Sequence, residues 1–106
     1  MAKLVMVLTT VPNKKECLWL AGKLLRQRLC ACVSALPKLE SRYWWQGHIE
    51  KSAEVLLLIK TSVHKRRALI EAIEKHHPYD VPEIIALPVA VAGRAYERWV
   101  TRVTTS

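Results

Sequence analysis

The sequence predicts an α+β fold: one antiparallel sheet of four strands, two helices on one of its faces, and a short helix at the end. Three observations predict it. Apolar, β-branched runs alternate with stretches of helical spacing in the order β-α-β-β-α-β, the split arrangement of two β-α-β halves. Two long strand-like stretches meet at Gln46-Gly47, where the glycine supplies the positive φ of a hairpin turn. Hydrophobic residues make up 51% of the 106, against 3 Gly and 5 Pro, enough apolar surface to offset the entropy of ordering. The pattern is a ferredoxin-like sandwich with an extended hairpin and a C-terminal helix. One domain over residues 1–106 is expected, since two cores cannot be built from so few residues. A chain of this length buries roughly 65% of its unfolded surface, so further burial between copies would stabilise it.

Each element has its own signal. Lys3 to Thr10 reads as a buried strand closed by a turn at Pro12. Asn13 is a helix N-cap, and Glu16 three residues on completes a capping box. The first helix runs to about Leu29, with Cys17, Leu20, Ala21, Leu24 and Leu25 on one face. Lys14, Lys15, Lys23, Arg26 and Arg28 take the other face. Cys30 to Trp45 reads as a strand broken or bulged at Pro37, which cannot donate to a ladder. The return strand spans His48 to Thr61. Pairing Trp45 with His48 sets Trp44 opposite Ile49 and Tyr43 opposite Glu50. A second helix, Ser62 to His76, carries Val63, Arg66, Leu69, Ile70 and Ile73 at helical spacing and stops at Pro78. The last strand covers Glu83 to Val89. After Gly93 a helix from Ala95 to about Val103 sets Tyr96, Trp99 and Val103 on one side.

The hairpin is long for its domain. Each arm of about 14 residues would reach roughly 45 Å if straight, whereas a domain of this size is only about 33 Å across. It therefore bends, at Pro37, or overhangs and pairs with another copy. Its tip holds Tyr43, Trp44, Trp45 and Ile49, and burying one such aromatic contributes about 2–3 kcal/mol. A homo-oligomer with the hairpin packed on a neighbour follows; a patch for an unrelated partner is the alternative.

Composition excludes several classes. No apolar run approaches the length of a membrane span. The Leu4–Leu8 run is too short for a secretory signal, so a cytoplasmic protein is expected. Cys17, Cys30 and Cys32 form an odd set that reads as reduced and mostly buried rather than as a disulfide framework. The net charge of +8 raises the question of nucleic acid. Base-stacking domains of this strand order need aromatics on their central strands, yet here those strands read Leu4–Leu8 and Val55–Ile59, a pattern expected of strands buried on both faces. Specific nucleic-acid binding is not expected; salt-sensitive nonspecific adhesion fits the charge.

The densest polar cluster is His76-His77-Pro78-Tyr79-Asp80. Imidazoles ligate copper, zinc and nickel, but two are too few for a closed site, so a third ligand must come from elsewhere. Either His can equally cap the preceding helix. Lys60 and Glu83, at strand ends, form a conceivable ion pair. No nucleophile motif, phosphate loop or metalloprotease spacing accompanies these groups, so an enzyme is not expected.

At the hairpin and after the second helix the chain resembles the CutA family of divalent-ion tolerance proteins. The residues are Tyr43-Trp44-Trp45-Gln46-Gly47, Glu54 to Thr61, and His77-Pro78-Tyr79-Asp80-Val81-Pro82-Glu83-Ile84-Ile85-Ala86-Leu87-Pro88; Arg28 to Val33 also looks like the family's second strand. The resemblance implies a PII-like homotrimer, with Tyr43, Trp44 and Trp45 in the contacts. It implies a cytoplasmic, non-enzymatic protein concerned with copper and other divalent cations. It also implies metal binding by His76 and His77, together with a strand-one cysteine whose position is held here by Thr9. Without that thiolate, copper(I) loses its best ligand, leaving copper(II) or zinc on histidine, with Glu83 or water completing the set. Two alternatives come from other classes: a PII-like sensor of a small anionic ligand, using Lys60, Tyr79 and Glu83, and a trimeric scaffold for another protein.

Overall fold

A computed structural model describes residues 2–105. The strands are β1 (Leu4–Val11), β2 (Cys32–Trp45), β3 (His48–Ser62) and β4 (Ile85–Val89); the helices are α1 (Lys14–Arg26), α2 (Arg66–His76) and α3 (Arg94–Val103). The sheet runs β2-β3-β1-β4 and every neighbouring pair is antiparallel. The α+β, ferredoxin-like fold expected from the element order is the one observed.

Alternation along β1 and β3 divides the sheet into two faces. Val5, Val7 and Val11 with Val55, Leu57 and Ile59 meet Cys17, Leu20 and Leu24 of α1 and Leu69 and Ile73 of α2 in one core. Asn13 caps α1 as the capping pattern requires, its Oδ1 accepting the Glu16 amide at 2.9 Å.

The second face differs from the expectation that both sides of the central strands are buried. Met6, Leu8, Leu56 and Leu58 are only partly covered there, and Leu36, Ile85 and Leu87 beside them are exposed. Continuous apolar runs promised two buried faces, but one protomer has helices enough for only one. α3 covers a single end of the second face, where the hydroxyls of Ser62 and Thr104 hydrogen-bond and Val100 is buried.

Two helix boundaries fall inside the predicted ones. α1 ends at Arg26 because Arg28 turns left-handed (φ 58°), letting the amides of Arg28 and Leu29 reach the carbonyls of Leu25 and Leu24. α2 begins at Arg66, after a 3-10 turn over Val63–Lys65, because the Ser62 hydroxyl serves Thr104 instead of capping a helix. β4 starts at Ile85 rather than Glu83.

The hairpin keeps the anticipated register: Trp45 pairs with His48, Trp44 with Ile49 and Tyr43 with Glu50. Gln46 (φ 50°) and Gly47 (φ 82°) are both left-handed, the geometry of a type I′ turn. The ladder slips between Leu36 and Leu39, around Pro37, with Lys38 left-handed. Even bent there, the hairpin stretches the molecule to 44 × 26 × 22 Å.

Candidate functional site

The segment after α2 packs beside the end of β1, and one imidazole fixes it there. His77 is 9% exposed. Its Nε2 lies 2.8 Å from the Thr10 carbonyl, and its Nδ1 accepts the Tyr79 amide at 3.1 Å. A carbonyl accepts and an amide donates, so the neutral ring with hydrogen on Nε2 satisfies both neighbours. Burial pushes the His77 pKa down, outweighing the upward pull of the Thr10 carbonyl and of Glu16 and Glu54. Tyr79, its ring centroid 4.9 Å from that of His77, donates its hydroxyl to Glu54 Oε2 at 2.7 Å. Burial first, then this hydrogen bond, raises the phenol pKa.

Tyr79 and Glu54, joined by that hydrogen bond, both line a groove of about 820 Å³. Thr10 and Glu54 come from the sheet; Ser41, Arg42, Tyr43, Trp44 and Trp45 come from the hairpin; Pro78 to Glu83 supply the opposite side. Tyr43 is held by a hydrogen bond between its hydroxyl and that of Ser52, 2.8 Å. The volume suits a small ligand.

The structure separates the other candidates. Lys60 donates to Ser34 Oγ at 2.6 Å and lies 3.9 Å from Cys32 Sγ. It stands six residues along β3 from Glu54, roughly 20 Å at strand rise. Tyr79 and Glu83 therefore share the groove, while Lys60 lies near α3 and pairs with Ser34 rather than Glu83. His76 turns away from His77, its ring edge-on to Trp19 at 5.6 Å, with Lys23 Nζ 5.7 Å from the same indole. Thr9 is fully buried, and its hydroxyl has no hydrogen-bond partner among the described residues.

These groups do not fit a closed metal centre within one protomer. His77 has committed both ring nitrogens, His76 faces elsewhere, and Thr9 offers a neutral oxygen where a soft ion wants sulfur. Among the described residues no three His, Cys, Asp or Glu side chains converge. Glu54 and Thr10 were not singled out from sequence. Glu54 has a visible signal, a carboxylate directly preceding the apolar run Val55–Ile59; Thr10 acts through its carbonyl, which no side-chain pattern reveals.

Fold and site together define a ferredoxin-like protomer with an overhanging hairpin and a groove between that hairpin and the segment after α2. Comparison makes the class specific. The family model for the CutA1 divalent ion tolerance protein matches residues 5–103. The divalent-cation tolerance protein CutA of Thermus thermophilus is 45% identical over 93 residues, covering 88% of this chain and 90% of that protein. The rice protein CutA 1, chloroplastic, is 43% identical over 100 residues, 94% of this chain, which spans only 56% of the rice protein's length. The crystal structure of CutA1 from Ehrlichia chaffeensis superposes with a TM-score of 0.94 at 26% identity, covering 100% of this chain and 99% of that one. CutA1 from Oryza sativa gives 0.92 at 41% identity, covering 99% and 95%. The chain belongs to the CutA1 divalent ion tolerance family.

Proposed function

We propose that the chain acts in divalent-cation tolerance as a non-enzymatic homotrimer of one-domain protomers. The observation that carries the assembly is the second sheet face, where Leu36, Ile85 and Leu87 stay exposed beside Met6, Leu8, Leu56 and Leu58, continuous with a hairpin whose Trp44 is 72% exposed. β2 and β4 are both sheet edges. An edge of β2 against a neighbour's β4 is a head-to-tail contact, which closes into a ring when the rotation between copies divides a full turn. The family resemblance implies a ring of three, with Tyr43, Trp44 and Trp45 in the contacts. The free cysteines support a reducing compartment, the cytoplasm; no helix among the described residues is long and apolar enough to cross a membrane.

Copper(II), or another divalent cation, meets the chain weakly through His76, whose ring nitrogens make no hydrogen bond among the described residues. His77 acts as the structural pin beside it. Isothermal titration with copper(II) separates the two histidines. Weak heats that vanish in His76→Ala and persist in His77→Asn are the expected result; unchanged heats in His76→Ala would remove this contact.

A second reading, a PII-like sensor of a small ligand, is favoured by the groove with Glu54 in its wall.

A further inference from the structure

We infer that the outer face of α1 docks on an anionic lipid surface. This face stays free in the proposed ring. The ring takes the second sheet face and the edges of β2 and β4, whereas α1 packs on the first face.

Cys17, Leu20 and Leu24 fix which side of α1 meets the core. At about 3.6 residues per turn, Lys15, Gly22 and Arg26 point directly away from it. Lys14, Leu18 and Leu25 run along one flank of that outward arc, Trp19 and Lys23 along the other. The arc holds no carboxylate; Glu16, the one acid of α1, lies beyond it on the side of His77. Among the described residues none of the four cations forms an ion pair. Between them Leu18 is 62% exposed, Trp19 46% and Leu25 39%.

The neighbouring helix is the control. α2 lies in the same layer and has an ordinary solvated face, with Arg67, Glu71 and Lys75 alternating in sign at i, i+4 spacing and Glu74 beside them. Its large apolar residues are covered: Leu69 and Ile73 are buried and Ile70 is half-buried. Water makes the same demands on both helices. The one-signed charge and the exposed leucines of α1 answer to a different neighbour, one that is negative and apolar at once.

An anionic bilayer surface has both properties. Its headgroups attract clustered lysines and arginines, whose stems lie along apolar material while the charged ends stay at the phosphates. Leucine and tryptophan enter the boundary between headgroup and acyl chain. The 13 residues of α1 extend roughly 20 Å, enough to lay this whole arc along the surface. Nucleic acid would meet the same charge through its phosphates. That contact gives Leu18 and Leu25 nothing apolar to bury against, so the leucines decide for lipid.

The test is co-sedimentation of the purified protein with vesicles of phosphatidylcholine alone, and of phosphatidylcholine with about one third phosphatidylglycerol. Binding is expected on the anionic vesicles, about tenfold weaker when salt is raised to about 0.5 M, and absent on phosphatidylcholine. Lys15→Gln and Arg26→Gln should each weaken it about fivefold, and Arg67→Gln on α2 less than about twofold. Leu18→Ser, at an exposed position, should weaken it about threefold to fivefold with the salt dependence unchanged. Equal binding to both kinds of vesicle, or binding to neither, would overturn the proposal. Unchanged affinity in Leu18→Ser would overturn the lipid assignment, and tighter binding of a thymidine oligonucleotide than of anionic vesicles would give the face to nucleic acid instead. A fall in assembly mass in Leu18→Ser would also overturn it, since the leucine would then be a contact between copies.

Discussion

Thr9 and His77 are both enclosed, and opposite accounts of hydrogen bonding decide what each does. The Thr9 hydroxyl is buried without a partner, so it forfeits solvation for nothing. Thr9→Val keeps the shape and removes that cost. It should raise stability by about 1–2 kcal/mol, measured by denaturant unfolding. His77 is the reverse case, fully satisfied as the neutral ring. The unfolded chain takes up the His77 proton near its ordinary 6.5, and the folded chain only at lower pH. The stability this residue contributes is therefore complete above about pH 6.5 and is lost as pH falls toward the folded value. Between about pH 7 and about pH 5 the melting temperature should fall more steeply for the parent than for His77→Asn; parallel profiles would contradict this role. The commitment of His77 was illegible in the sequence because its acceptor, the Thr10 carbonyl, lies 67 residues away and belongs to the backbone. From sequence the adjacent histidines are either ligands or a helix cap; the fold shows that one faces Trp19 and the other faces β1.

At the scale of elements, local chemistry made most of the fold legible. The Gln46-Gly47 turn fixed the register of the three pairs that follow it, because a two-residue turn leaves no freedom in what lies opposite what. Gly47 at φ 82° has open space around it, so adding a Cβ costs backbone strain rather than a clash. Gly47→Ala should destabilise the protein by about 1 kcal/mol, seen in denaturant unfolding. Element ends were less legible wherever a long-range contact overrode a local preference. The second helix was expected from Ser62, but the Ser62 hydroxyl is taken by Thr104 and α2 starts at Arg66. Arg28 is no glycine, yet it closes α1 in the left-handed region, helped by its guanidinium donating to the Val103 carbonyl at 3.2 Å.

For the whole molecule, hydrophobic patterning and charge point in different directions. Two buried sheet faces were expected from the runs Leu4–Leu8 and Val55–Ile59, and a protomer with α1 and α2 on one side supplies only half of that cover. The apolar second face is what a single-chain structure looks like when its remaining cover is another copy. The proposed trimer would gather three times +8, a field that repels dications and is screened over about 8–10 Å. Such a surface fits weak uptake of a metal ion at one imidazole better than a tight resident centre. The groove's members are scattered over the sequence from Thr10 to Glu83, so composition and spacing could name Tyr79 and Glu83 but could not join them to Glu54.

Sedimentation equilibrium of the purified chain, with and without copper(II), tests the assembly on which this picture depends. A mass about three times 12.1 kDa in both conditions is the predicted result. A mass of 12.1 kDa at micromolar concentration would leave Leu36, Leu87 and Trp44 exposed to water and contradict it.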